Sequence, residues 1–93
     1  MIVSFRDKRT EAVWNGRVGK GFPADLVRVA QRRLAMLNAA VTLESLRAPP
    51  ANRLEALKGD RAGQHSIRIN DQFRICFLWR DGNAAEVEIT DYH

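Results

Sequence analysis

Ile67-Arg68-Ile69-Asn70-Asp71-Gln72-Phe73-Arg74-Ile75-Cys76-Phe77-Leu78-Trp79 is the stretch that decides the fold. Apolar residues take every second position on both sides of its polar middle: Ile67 and Ile69 before it, Phe73, Ile75, Phe77 and Trp79 after it. That is the period of strands buried on one face. A two-residue turn at Asn70-Asp71 would set Ile67 opposite Arg74, which a half-buried sheet disfavours. A three-residue turn over 70–72 instead pairs Ile69 with Phe73, Ile67 with Ile75 and Arg68 with Arg74. Downstream, Asp81-Gly82 is another turn signal, and Val87 and Ile89 alternate again. The same logic over 81–83 pairs Phe77 with Val87 and Ile75 with Ile89. Arg74 then lies beside Thr90, with Glu88 and Tyr92 on its diagonals. These residues predict a three-stranded antiparallel meander.

Upstream, Leu26, Val29, Ala30, Leu34 and Leu37 follow helical spacing, with Pro23 and Asp25 suited to the first turn. This predicts an amphipathic helix over 24–38 that covers the apolar face of the sheet. A short helix is expected near 41–46, ended by Pro49-Pro50. Residues 16–22 read as a glycine-rich loop, 47–63 as a long basic loop, and 2–5 as a short strand. The fold class is α+β. The 93 residues make one domain, 1–93.

Charge is concentrated. The chain carries 15 basic and 11 acidic residues, a net +4, and 12 of the basic residues are Arg. Residues 47–80 hold seven basic groups and three acidic ones, which accounts for the whole excess. Arg presents a planar fork that suits phosphate. One Cys excludes an internal disulfide, and one Cys with two His falls short of the usual zinc site. No metal or cofactor is expected. The run Ile75–Trp79 is far short of the ~20 apolar residues of a membrane span. Met1–Arg6 lacks the pattern of a signal peptide, so a cytoplasmic location is expected.

Arg68 and Arg74, directly opposite, repel unless carboxylates or an anion intervene. They are either solvated arginines relieved by Glu86 and Glu88, or a phosphate clamp. Asp91-Tyr92-His93 follows directly on the strand that carries Val87 and Ile89, and an imidazole there suits proton transfer near neutral pH. His65 precedes a strand; Glu55, Lys58, Asp60 and Arg61 lie in the basic loop. Gly59 and Gly63 make no phosphate loop, because the G-x-x-x-x-G-K-[ST] pattern is absent. Cys76 reads as packing. Together these residues fit RNA cleavage without a metal. RNA carries its own nucleophile, the 2′-hydroxyl, and Arg and Lys can supply the positive charge that the transition state needs.

The run from Asn52 to Phe77, closed by Asp91-Tyr92-His93, closely resembles the HigB toxins of the RelE/ParE superfamily, in particular the branch that includes GraT. The elements L-K-G-D-R-x-G, S-I-R-x-N, [WF]-R-[IL]-x-F and a terminal D-Y-H occur in order. The resemblance implies a RelE-like fold, with N-terminal helices packed on a small antiparallel sheet. It implies the toxin of a type II toxin-antitoxin system, a ribosome-dependent endoribonuclease that cuts mRNA in the A site. The implied partners are a HigA-like helix-turn-helix antitoxin, the ribosome and mRNA, with operator DNA reached only through the antitoxin. Carried over by residue, His93 and Asp91 match the proton-transfer motif, and Tyr92 matches an aromatic neighbour that stacks on or orients a base. Arg74 matches the arginine at the scissile phosphate, and Lys58 a basic residue of the active-site loop. Some members carry a catalytic His where this chain has Glu55, and His65 is expected to compensate. Arg47, Arg53, Arg61 and Arg68 are expected to hold ribosomal RNA. Two other readings keep the charge pattern: a ParE-like gyrase poison, and a non-enzymatic RNA- or ribosome-binding module.

Overall fold

In the computed structural model, which describes residues 1–17 and 22–91, the alternating stretch forms the middle of a four-stranded antiparallel sheet. The strands are β1 (Glu55–Ala56), β2 (Gln64–Arg68), β3 (Phe73–Arg80) and β4 (Asn83–Asp91), in the order β1-β2-β3-β4. Helices α1 (Lys8–Trp14) and α2 (Ala24–Ala39) precede them. The α+β architecture follows the expected plan, with helices on one face of a small sheet.

The register at the first turn is the expected one: Ile67 pairs with Ile75 and Arg68 with Arg74. The Ile69 N–H donates to the Phe73 carbonyl at 3.0 Å, and Asn70 Oδ1 accepts from the N–H groups of Gln72 and Phe73. A side chain that substitutes for backbone acceptors is how Asn stabilises such a turn.

The second turn corrects the expectation. It has two residues, Asp81 and Gly82, and Arg80 pairs with Asn83. Both turn residues have positive φ, 52° and 77°, the conformation that matches strand twist in two-residue hairpins. The residue this saves is returned by a β-bulge. Glu86 takes φ 52°, and the register shifts between Cys76 and Leu78. The expected Phe77–Val87 pair is lost in the bulge, while Ile75 pairs with Ile89 and Arg74 with Thr90. Alternation alone could not separate a three-residue turn from a two-residue turn plus a bulge, because both give the same pairing at Arg74.

Helix α2 buries Leu26, Val27, Ala30, Leu34 and Leu37 against Ile67, Ile75, Phe77, Val87 and Ile89. Val27 takes the place expected of Val29, which is half-buried. Helix α1 had no counterpart in the sequence reading. Its seven residues bury only Thr10 and Val13, too few to show a period. Asp7 caps it by accepting from the Thr10 N–H at 2.8 Å. Residues 2–5 run parallel to β4 and pair with it in isolated bridges, Ile2 to Ala84 and Phe5 to Val87, not in a continuous ladder. The bulge breaks that ladder, and Ser4 Oγ accepts the Glu86 N–H at 2.9 Å.

The helix expected at 41–46 is a 3₁₀ turn at Leu43–Arg47. The segment read as a long loop holds two more 3₁₀ turns, at Pro50–Asn52 and Gly59–Arg61, and strand β1. Two exposed residues, Glu and Ala, carry no strand signal of their own. Among the described residues, no helix is long and apolar enough to cross a membrane.

Candidate active site

Antiparallel partners point to the same side of a sheet, so the register sorts the polar residues. On the face away from α2 it places Glu55 and Ser66, Ser66 and Cys76, Cys76 and Glu88, and Arg68, Arg74 and Thr90. The centre of this face is Arg74, which is 7% exposed. Burying a guanidinium demands partners for its N–H groups. Nε donates to Ser66 Oγ at 2.7 Å, and Nη2 donates to the Arg53 carbonyl at 2.6 Å. Glu55 Oε1 stands 3.8 Å from Nη2, with half of its side chain exposed.

The Arg53 carbonyl is in place because the chain turns sharply there. Asn52 is fully buried, and its Nδ2 donates to the carbonyls of Leu46 and Ala48 at 3.2 and 3.3 Å. Arg53 follows in the left-handed region, φ 44° and ψ 60°. A non-glycine residue there costs roughly 1–2 kcal/mol, and the gain is a carbonyl turned to Arg74.

Carboxylates relieve the opposed arginines, but not the ones expected. Arg68 pairs with Asp71, and Arg74 has Glu55. Glu86 is exposed in the bulge, and Glu88 is held by Arg61 at 3.0 Å. Arg61 Nη1 also donates to Gln64 Oε1 at 3.0 Å. Thr90, beside Arg74, has a buried Oγ1 that finds no hydrogen-bond partner among the described residues.

The remaining site residues expected from sequence are distributed as follows. Lys58 is exposed and begins the turn Gly59–Arg61. His65 pairs with Phe77 and stacks on its ring at 6.3 Å between centroids, with Nδ1 buried and without a hydrogen-bond partner among the described residues. It therefore faces away from Arg74, and from there it cannot stand in for Glu55 by direct contact. Asp91 is in register with Phe73 and accepts from Gln72 Nε2 at 3.1 Å, so the alternation gives it the side away from Arg74. Arg47 is exposed and paired with Glu44 at 2.6 Å. Tyr92 and His93 lie outside the described residues, as do residues 18–21 of the expected glycine-rich loop. Among the described residues no three His, Cys, Asp or Glu side chains converge as metal ligands would.

Sequence reasoning missed Ser66 and the Arg53 carbonyl. Ser66 was legible in principle, because strand alternation puts it on the side of Arg68. The carbonyl was not, since side-chain identity says nothing about where a main-chain oxygen points.

Residues 3–93 match the family described as RelE-like toxin of type II toxin-antitoxin system HigB. The chain is 38% identical over 85 residues to Toxin HigB-1 of Vibrio cholerae serotype O1, covering 90% of each. It is 33% identical over 93 residues to Endoribonuclease HigB of Proteus vulgaris, covering 100% of each. Among solved structures it resembles a chain of the heterotetrameric YoeB-YefM toxin-antitoxin complex from Staphylococcus aureus. There the TM-score is 0.63 at 16% identity, over 100% of this chain and 98% of that one, a likeness of fold. With a family match that covers nearly its whole length and relatives aligned along most of theirs, the chain belongs to the HigB family of RelE-like toxins of type II toxin-antitoxin systems.

Proposed function

We propose that this toxin is an endoribonuclease that cuts mRNA in the ribosomal A site by attack of the 2′-hydroxyl on the adjacent phosphorus. One observation carries the reading: the Arg74 guanidinium, buried and oriented by Ser66 and the Arg53 carbonyl, has a carboxylate 3.8 Å away. A fixed planar cation beside a carboxylate base is what phosphodiester cleavage needs. A relative named Endoribonuclease HigB supports the activity.

In this reading Glu55 takes the 2′-hydroxyl proton. The oxygen attacks phosphorus, and Arg74 and Lys58 meet the charge of the pentacovalent phosphorane. His93, with Asp91 and Tyr92 beside it in sequence, protonates the leaving 5′-oxygen. The products are a 2′,3′-cyclic phosphate and a 5′-hydroxyl. Arg68, the cross-strand partner of Arg74, together with Arg53 and Arg47, holds ribosomal RNA. The fold neighbours were solved as toxin-antitoxin complexes, which supports an antitoxin partner. We infer a HigA-like helix-turn-helix protein in that role, through which operator DNA is reached, and a cytoplasmic location with the ribosome.

The test is primer extension on an mRNA with purified protein, with and without translating ribosomes, comparing wild type with His93→Ala. New 5′ ends that need ribosomes and vanish in the variant are expected. Growth arrest without cuts in either condition would overturn the reading.

A further inference from the structure

Arg61 reaches across the candidate site. It closes the turn that begins after Lys58, and its backbone N–H donates to the Lys58 carbonyl at 3.3 Å. Its guanidinium leaves that loop for the sheet. There it meets Gln64 Oε1 on β2 and Glu88 Oε1 on β4, each at 3.0 Å. Strand β3 lies between those two strands, so one side chain spans three strands of the face that holds Arg74. The pair is partly sheltered, with side chains 31% and 19% exposed. Arg6 Nε stands 4.0 Å from the same Glu88 oxygen. Glu88 is two residues from Thr90, the cross-strand neighbour of Arg74. An uncompensated carboxylate there would repel an approaching RNA phosphate. Shelter from solvent strengthens such an ion pair relative to an exposed one.

We propose that Arg61 is a positioning residue: its bridge to Glu88 clamps the β1–β2 loop to the sheet, fixes Lys58 relative to Arg74, and neutralises a carboxylate two residues from the cross-strand neighbour of Arg74. This role replaces the one expected from sequence, a direct hold on ribosomal RNA. Its catalytic consequence rests on the ribonuclease reading; the clamp itself does not.

The two roles separate in one set of variants: Arg61→Ala, Glu88→Ala, the double variant, and Arg61→Lys. Cleavage is measured on ribosomes programmed with a defined mRNA, as the rate at saturation and the concentration for half-maximal rate. Ribosome binding is measured across salt concentrations. For a clamp, both single variants lose on the order of tenfold or more in the saturated rate. The half-maximal concentration and the salt slope stay unchanged, and the double variant is no worse than either single one. Arg61→Lys recovers part of the rate. A direct RNA contact gives the opposite pattern and overturns the proposal: Arg61→Ala weakens binding and lowers the salt slope by about one, while Glu88→Ala cuts normally. Amide hydrogen exchange over residues 58–62 decides the clamp without RNA. Faster exchange in both single variants, in protein that keeps its circular dichroism, supports it; unchanged exchange overturns it. If the wild type cuts nothing, the ribonuclease reading fails while the exchange experiment still judges the clamp.

Discussion

Arg74 Nη2 donates to the main-chain carbonyl of Arg53 at 2.6 Å, and this bond ties the sheet to the turn that precedes β1. The acceptor is backbone, so no side-chain replacement at residue 53 removes it directly. The orientation of the Arg74 fork therefore depends on the left-handed conformation of Arg53 and on buried Asn52 behind it.

Arg74→Lys is expected to reduce cleavage on the order of 10²-fold or more, because an ammonium cannot hold the fork's geometry toward a phosphate. Single-turnover cleavage checks this. A rate equal to wild type would leave Arg74 a structural residue only.

Ser66→Ala is expected to act through Arg74. It removes the acceptor of Nε, which leaves a buried donor unpaired and costs roughly 1–3 kcal/mol of stability. The saturated cleavage rate should fall by roughly tenfold, with ribosome affinity unchanged. Thermal unfolding and cleavage kinetics on the same samples separate the two effects.

Glu55→Ala is expected to slow cleavage far more than His65→Ala. The former removes a carboxylate 3.8 Å from Arg74, while the latter removes a ring stacked on Phe77 on the other face. His65→Ala should instead lower the unfolding temperature. The reverse order in the cleavage assay would make His65 part of the chemistry, the role that the resemblance implies for it.

Leu34→Ala, in a side chain with no exposure at the centre of α2, is expected to cost 2–5 kcal/mol in urea unfolding, roughly the range for such core truncations. Gly82→Ala is expected to cost less, about 1–2 kcal/mol. Among the described residues its added Cβ meets the Val41 carbonyl at 3.7 Å, an ordinary contact, so the penalty comes from φ 77° and not from crowding. A loss at Gly82 as large as that at Leu34 would contradict this.

Alternation over 67–79 determined the two central strands, the 70–72 turn and the opposition of Arg68 to Arg74, because a period of two leaves few registers that bury Ile67, Ile75 and Phe77 together. Helical spacing likewise determined α2. These patterns are local, and burying one face is enough to produce them. The ordered motifs from Asn52 to Phe77 carried the family. Only the tertiary structure decided which polar groups meet. Strand β1 exists because β2 offers it a partner, not because Glu55 and Ala56 prefer to be extended. Glu88 belongs to Arg61 and not to Arg74, and a main-chain oxygen at Arg53 holds the central guanidinium. Such contacts join residues 21 and 27 apart in the chain, where no periodicity reaches. Both hinge on register at a bulge and on the path of one turn, which are settled only when all the strands and helices bury their faces at once.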